Sequence, residues 1–479
     1  MPRMGRSLCR KASETLYIPR VRHLLRKHLP FFIAVTAAGI ALRVVFLVFS
    51  PQVMNDSYVY GDIAKNWLVH GVYGLSGAAG ISPTFIRLPG YPAFLAFVFA
   101  IFGVEHYHAA LILQIFVDLG TCSLCASMAL RLLGPRAAKV AFLLAALCPF
   151  LANYSVAALT ETLEVFCTAL ALDLALRGLE NSRLTTWAGC GIACACATLL
   201  RPDGAMLPFV IVVYLLWRVV VARPETMRRS LFGAAVLVGA IPLLALVPWA
   251  VRNRRVFHDF QPLAPRYANE EGEFVPMGFN RWTKTWIADY ASVEEVYWQV
   301  PGQPIDPAKL PSRAFDTPQQ KVQTLAVIAA YNKSLFIAPN LDSQFESLAA
   351  ERIRTHPVRY YFTLPVLRIA DMWLRPRTEM LPPDTRWWEF NDDLRWSVLA
   401  VSFGLIGIFY AGAGIVGWLR HRGLPWSGLL LSFLILRSAF LGTLENPEPR
   451  YTLEMYPIVF VFAAGAFLRS RQESRTGLG

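Results

Sequence analysis

Six short stretches concentrate the residue types that could do chemistry. The first is Asn55-Asp56-Ser57-Tyr58, followed by Gly61-Asp62. The second is Arg87-Leu88-Pro89-Gly90-Tyr91-Pro92, and the third is Thr160-Glu161 with Glu164 one helical turn further on. Arg201-Pro202-Asp203-Gly204, Pro248-Trp249-Ala250-Val251-Arg252-Asn253 and Glu445-Asn446-Pro447-Glu448-Pro449-Arg450-Tyr451 complete the set. A carboxylate such as Asp56 can take a proton from an acceptor hydroxyl or amine. Arginine can grip a phosphate with two N–H groups at once. The mixture therefore suits an anionic substrate with an acid–base step. Taken singly, each residue has a plainer role. Asp56 serves equally as a helix cap or a solvated carboxylate. Glu161 suits the positive end of a helix dipole, and Arg201 suits a lipid headgroup anchor.

These stretches gain meaning from the elements that carry them. The 479-residue chain is 55% hydrophobic and 16% charged, against roughly 25% charged in an average soluble protein. Long apolar runs alternate with short basic clusters, as in a polytopic helical membrane protein. Candidate spans are 31–49, 109–132, 137–153, 157–176, 185–200, 204–222, 231–250, 397–418, 426–444 and 452–468. The apolar stretch 91–103 is too short for a hydrocarbon core of about 30 Å and suits a re-entrant or interfacial helix.

Sidedness follows from the Lys and Arg distribution. If 91–103 does not cross, the clusters Arg131/Arg136/Lys139, Arg177/Arg183, Arg218/Arg223/Arg228/Arg229 and Arg420/Arg422 share one face with the basic N-terminus and the C-terminal tail. If it crosses, those clusters fall opposite the basic N-terminus. The positive-inside rule selects the first arrangement. It predicts ten spans, an uncleaved first span with a cytoplasmic N-terminus, and all six chemical stretches at the external face. Three parts are expected: 1–250 with its first external loop 50–108, an external soluble domain of mixed structure over 251–396, and C-terminal helices over 397–479.

The formal net charge of +13 is explained by topology, and nothing points to nucleic acid. Of the eight cysteines, all but Cys9 lie in apolar runs, so they read as small packing residues. Arg43 and Asp118 lie inside predicted spans. An ionisable residue there is a functional candidate by default, and the two could also pair with each other. His106 and His108 leave a divalent metal open without supplying a ligand pattern.

The order of these motifs resembles GT-C glycosyltransferases of the protein mannosyltransferase and aminoarabinose transferase type, over nearly the whole chain. The resemblance implies an all-α polytopic fold with interfacial helices in the first external loop. It implies an inverting enzyme that takes a sugar from a polyprenyl-phosphate carrier. The acceptor is a glycan, lipid or protein, and the setting is a bacterial inner membrane with the site facing the periplasm. Asp56 would be the base and Glu161 the second acidic residue. Arg87, Arg201 and Arg450 would hold the phosphate, with Tyr58, Asp62 and Tyr451 lining the site. The chain departs from the family in one motif: Asn55-Asp56 stands where protein mannosyltransferases carry an Asp-Glu pair. A diphosphate-linked glycan ligase or polymerase, or a lipid-linked sugar transporter, remain the alternatives. The transporter would place its functional charges near the bilayer midplane and show inverted repeats; the six stretches sit on one face instead, and no repeat is visible.

Overall fold

The computed structural model describes residues 23–222, 225–391 and 393–468. The basic N-terminal stretch, Cys9 and the tail arginines Arg469, Arg471 and Arg475 lie outside them. By internal contacts the chain divides into two compact units, the first ending at residue 271 and resuming over 410–434 and from 453 onward. The second comprises 272–409 and 435–452.

The first unit is a helical bundle. It contains α1 (Leu29–Phe49), α2 (Asp56–His70), α3 (Gly90–Phe102), α4 (Tyr107–Leu132), α5 (Pro135–Ala146), α6 (Pro149–Tyr154), α7 (Glu161–Asn181), α8 (Leu184–Leu200), α9 (Met206–Val221) and α10 (Glu225–Phe257). Five elements among the described residues are long and apolar enough to cross a membrane: α1, α4, α9 with its preceding 3-10 turn from Pro202, α10, and a later helix over Leu394–Arg420. The 21 residues of α1 rise about 31 Å at 1.5 Å each, which matches a hydrocarbon core. Its buried positions Val35, Gly39 and Arg43 follow a four-residue stride and form one stripe. Ile33, Val48 and Phe49 are 60%, 64% and 81% exposed, as expected of side chains that meet lipid rather than water. The expected span 137–153 is broken into α5 and α6 at Leu147–Cys148, where Pro149 opens the second piece. Proline cannot continue the hydrogen-bond ladder.

Arg43 and Asp118 do pair. Arg43 Nε and Nη2 donate to Asp118 Oδ2 at 2.7 and 2.5 Å, and Nη1 donates to the carbonyls of Gly39 and Ala146, each at 2.8 Å. Every face of the guanidinium is thereby satisfied, and the pair locks α1 to α4 and α5. The described cysteines are all free thiols.

The two strands among the described residues form an antiparallel hairpin, β1 (Gly74–Gly77) and β2 (Gly80–Pro83), within the 50–108 segment. α3 has 13 residues, the length read from sequence. It buries Tyr91, Leu95, Val98 and Phe99 and exposes Phe97, Ile101 and Phe102.

The second unit departs from the mixed structure expected of 251–396. Its regular elements among the described residues are helical: α11 (Met277–Lys284), α12 (Pro318–Ser334), α13 (Pro339–Thr355), α14 (Leu364–Leu374) and short 3-10 and π turns. Local chemistry explains part of this. Thr317 caps α12 by accepting from Gln320 N–H, with Pro318 at the first helical position, the preferred N-terminal arrangement. Phe279, Trp282, Trp286, Ile328, Tyr331 and Phe345 form the core. Buried Arg352 ties it together by donating to Thr285 Oγ1, Gln320 Oε1 and the carbonyls of Arg313 and Ala314. The unit boundary falls within α15 (Leu394–Arg420) and α16 (Ser427–Gly442). The last helix, α17 (Tyr456–Ala466), packs on α4 and α5 in the first unit.

Candidate functional site

Four segments of the first unit are brought together by three contacts. Gln52, just after α1, forms a parallel bridge with Ala157: Gln52 N–H donates to Val156 O at 3.0 Å, and Ala158 N–H donates to Gln52 O at 2.9 Å. This places the loop before Asp56 beside the loop before Glu161. Gln114 of α4 reinforces the contact by donating to the carbonyls of Ser155 and Ala157 and accepting from Tyr91 Oη at 2.7 Å. The third contact explains a glycine. A Cβ on Gly90 would lie 2.6 Å from Leu199 O, so only glycine lets the start of α3 meet the end of α8. Arg87 is thereby drawn toward Arg201.

Asp56 occupies the first turn of α2, after Asn55, whose backbone has a positive φ of 47°. Asparagine tolerates positive φ better than most residues. Asp56 does sit at the positive end of a helix dipole, as the plainer role required. Its carboxylate also faces a specific partner: Arg87 Nη2 donates to Oδ1 at 2.8 Å. Asp56 keeps 40% of its side-chain surface exposed and Arg87 20%, so the pair is open to a reactant.

Glu161 and Glu164 lie in the first turn of α7, both buried. Arg201 ends α8 and faces three carboxylates. It lies 3.6 Å from Glu161, 3.4 Å from Glu164 and 3.3 Å from Asp203. These contacts are longer than the 2.7–2.9 Å of a strong charge-assisted bond. Glu454 is near enough for its charge to be felt at Glu164. Gly204 permits the turn that carries Asp203, since a Cβ there would fall 2.3 Å from Ala197 O.

Tyr60 connects the two ion groups. It lies four residues after Asp56, one turn along the same helix, and the Arg87 guanidinium sits 5.6 Å from its ring centre. Burial pushes its phenol up to about 12, and Arg87, Asp56, Arg201 and Glu161 all act on it. Asp56, Arg87, Glu161 and Arg201 therefore lie around Tyr60. Sequence reasoning did not single out Tyr60, Gln114 or Glu454. The helical spacing from Asp56 was the available signal for Tyr60; nothing local marked the other two.

The remaining candidates have other partners. Asp62 is engaged by the hairpin: Ser76 N–H and Oγ donate to it at 2.6 and 2.8 Å, and Lys65 lies 3.2 Å away. Burial works to raise its carboxyl, yet these partners hold it below the usual carboxylate range. Tyr58 is 58% exposed and packs edge-on to Tyr107. Arg450 and Tyr451 belong to the second unit, where both engage Glu448: Arg450 Nε at 2.6 Å and Tyr451 Oη at 2.5 Å. His106 caps α4 through Nδ1. Among the described residues no group of three or more His, Cys, Asp or Glu is arranged to hold a metal ion.

Arg252 supports the site from below. It donates to Thr84 O at 2.8 Å and Tyr73 O at 2.7 Å, while Tyr73 Oη donates to Arg87 O at 2.9 Å. The guanidinium also stacks near Tyr73, Trp249 and Phe257. Charged hydrogen bonds contribute about 1.5–3 kcal/mol each. Loss of about 2 kcal/mol in Arg252→Ala should speed hydrogen exchange at Thr84 N–H roughly 30-fold, since that group closes the loop onto Tyr73 O. Arg252→Lys is expected to rescue little, because one ammonium cannot span both carbonyls while stacking.

Residues 83–250 match the model of the dolichyl-phosphate-mannose-protein mannosyltransferase family. The matched segment contains Arg87, Glu161 and Arg201; Asp56 precedes it, and Arg252 and Arg450 follow it. No curated protein matches the chain. Among solved structures, it is similar to an archaeal oligosaccharyltransferase, AglB from Archaeoglobus fulgidus in complex with an inhibitory peptide and a dolichol-phosphate. Identity is 14% and the TM-score 0.49, covering 92% of this chain and 50% of that one. It is also similar to ArnT from Cupriavidus metallidurans bound to undecaprenyl phosphate, at 16% identity and TM-score 0.39, covering 90% and 76%. The chain spans about half the length of the archaeal structures it matches. Residues 83–250 of this chain are thus similar to a family of membrane mannosyltransferases.

Proposed function

We propose that the protein transfers a sugar from a polyprenyl-phosphate carrier to an acceptor hydroxyl or amine at the external face of a membrane, with inversion. The observation that carries this reading is the convergence of an accessible carboxylate, Asp56 on Arg87, with the Arg201 group around Tyr60. The family match and the positive-inside arrangement of the sequence support it.

In this mechanism Asp56 takes the proton of the acceptor as its oxygen or nitrogen attacks the anomeric carbon. The bond from that carbon to the phosphate oxygen breaks, and polyprenyl phosphate leaves. Arg87 and Arg201 stabilise the negative charge that develops on the leaving oxygen. Arg201 can do so because a guanidinium has five N–H donors. Glu161, Glu164 and Asp203 aim it. Arg450 and Tyr451, by the family resemblance, would bind substrate as well. The acceptor is a glycan, lipid or protein, and the setting a bacterial inner membrane with the site toward the periplasm.

The test uses the full chain in nanodiscs with radiolabelled polyprenyl-phosphate sugars and membrane-extracted acceptors. Acceptor-dependent release of polyprenyl phosphate is expected. Release only from diphosphate-linked donors would replace this reading with that of a ligase. Arg201→Ala should raise donor KM about ten- to a hundredfold, the value of one charged hydrogen-bonding group. Because that change strands buried carboxylates, Arg201→Lys serves beside it: charge is kept and two-point geometry lost.

A further inference from the structure

The Arg201 end of α9 belongs to the site above; the opposite end carries a separate cavity. It has a volume of about 570 Å³ and is lined by Tyr214, Trp217, Arg218 and Val221 from α9, Met227 from α10, and Trp426 from the connection before α16. All these residues belong to the first unit. The element from Pro202 to Val221 has 20 residues and qualifies as a membrane span, so the cavity lies about 30 Å from Arg201 along the helix. It therefore opens at the other membrane–water boundary.

Its lining is amphiphilic in a specific way. Tyr214 is buried and Trp217 is 56% exposed, with ring centres 5.7 Å apart. Such rings favour the headgroup level of a bilayer. Three cations of the same loops are engaged. Arg229 pairs with Glu225 at 2.6 Å, Arg420 donates to Ala466 O at 2.5 Å, and Arg422 stacks 5.7 Å over Trp418. Half-buried Arg218 differs from them: its guanidinium makes no hydrogen bond or ion pair with any described residue. A partly desolvated cation calls for an anion. Trp426 holds a left-handed backbone at φ 59°. For a bulky residue this is a strained conformation, of the kind that collects at ligand clamps.

We propose that this cavity binds the anionic headgroup of a glycerophospholipid from the leaflet opposite the candidate active site. Arg218 takes the phosphate oxygens, Tyr214, Trp217 and Trp426 flank the glycerol region, and the acyl chains follow the exposed apolar face of α9 at Phe209, Val213 and Leu216. A phosphate ester matches the forked guanidinium, and the open rim toward lipid admits a tail that a soluble phosphate lacks. The proposal rests on α9 crossing the membrane and not on the transfer reaction.

The experiment is native mass spectrometry of the full detergent-solubilised chain titrated with phosphatidylglycerol, phosphatidylcholine, undecaprenyl phosphate and inorganic phosphate. Wild type should retain one phosphatidylglycerol about tenfold more tightly than phosphatidylcholine, and inorganic phosphate should not compete. Arg218→Gln should remove that preference, the loss expected of one charged hydrogen-bonding partner. Trp426→Ala should weaken both lipids. Equal binding of phosphatidylglycerol by wild type and Arg218→Gln overturns the proposal, as does equal binding of the two diacyl lipids by wild type. Tighter undecaprenyl phosphate binding that Arg218→Gln abolishes would overturn it in favour of a carrier-lipid site. Competition by inorganic phosphate would reduce it to a general anion site.

Discussion

Asp56→Asn is expected to lower turnover by about a hundred- to ten-thousandfold, the usual worth of a positioned general base. The amide nearly preserves shape, and its oxygen can still accept from Arg87 Nη2 where the carboxylate now does at 2.8 Å. Basicity is lost while the scaffold remains. The pair is partly exposed, so its own stabilising energy is small, on the order of 1 kcal/mol or less. Thermal unfolding should therefore barely move. The checking measurement is release of polyprenyl phosphate under saturating donor, beside a melting curve of the same preparation. Wild-type turnover in the variant would remove Asp56 from the base role. Lost turnover together with a large fall in Tm would make Asp56 structural. Tyr60→Phe offers a contrast, since it keeps the ring beside Arg87 and removes only a hydroxyl.

Arg43→Leu should produce the largest stability loss in the protein, about 3–5 kcal/mol. Arg43 and Asp118 are 0% and 3% exposed. Removing one member of a buried pair leaves an uncompensated charge, which costs more than the pair itself contributes. Two backbone carbonyls, of Gly39 and Ala146, lose a donor at the same time. The double change Arg43→Leu with Asp118→Leu should recover much of the loss, because both charges then leave the interior together. Unfolding of the two single variants and the double, compared as a cycle, gives the coupling. Equal losses in single and double variants would show that helix packing, not charge, is what the substitution disturbs. Transfer activity in folded Arg43→Leu protein should be retained, since the pair is separate from the Asp56 and Arg201 groups.

Much of the architecture is legible in the sequence because membrane insertion acts on local composition. A helix must satisfy its own backbone in lipid, so long apolar runs announce themselves. α1, α4, α9 and α10 all lie where hydropathy put them. The 13-residue length of α3 is equally local. The second unit was harder to read. Its helices are amphipathic or polar, and their caps, such as Thr317-Pro318, signal a start without revealing the helices between them and the core.

The site shows the same division. Asp56, Glu161, Arg87 and Arg201 could be named from residue type and motif order. Whether they meet depends on groups far apart in sequence: Gln52 bridging Ala157, Gln114 holding Ser155 and Ala157, and Gly90 pressed to Leu199. Asp62 was an equally good candidate by type, but the β1–β2 hairpin folds Ser76 onto it. Arg43 and Asp118 were equally open to function or structure until α1 and α4 packed side by side. The sequence by itself determined the membrane class, the principal spans and the residue types available for chemistry, because these rest on local hydropathy and charge. Tertiary structure alone decided which charges neutralise each other and which gather around Tyr60, because groups 31 to 103 positions apart meet only when helices pack.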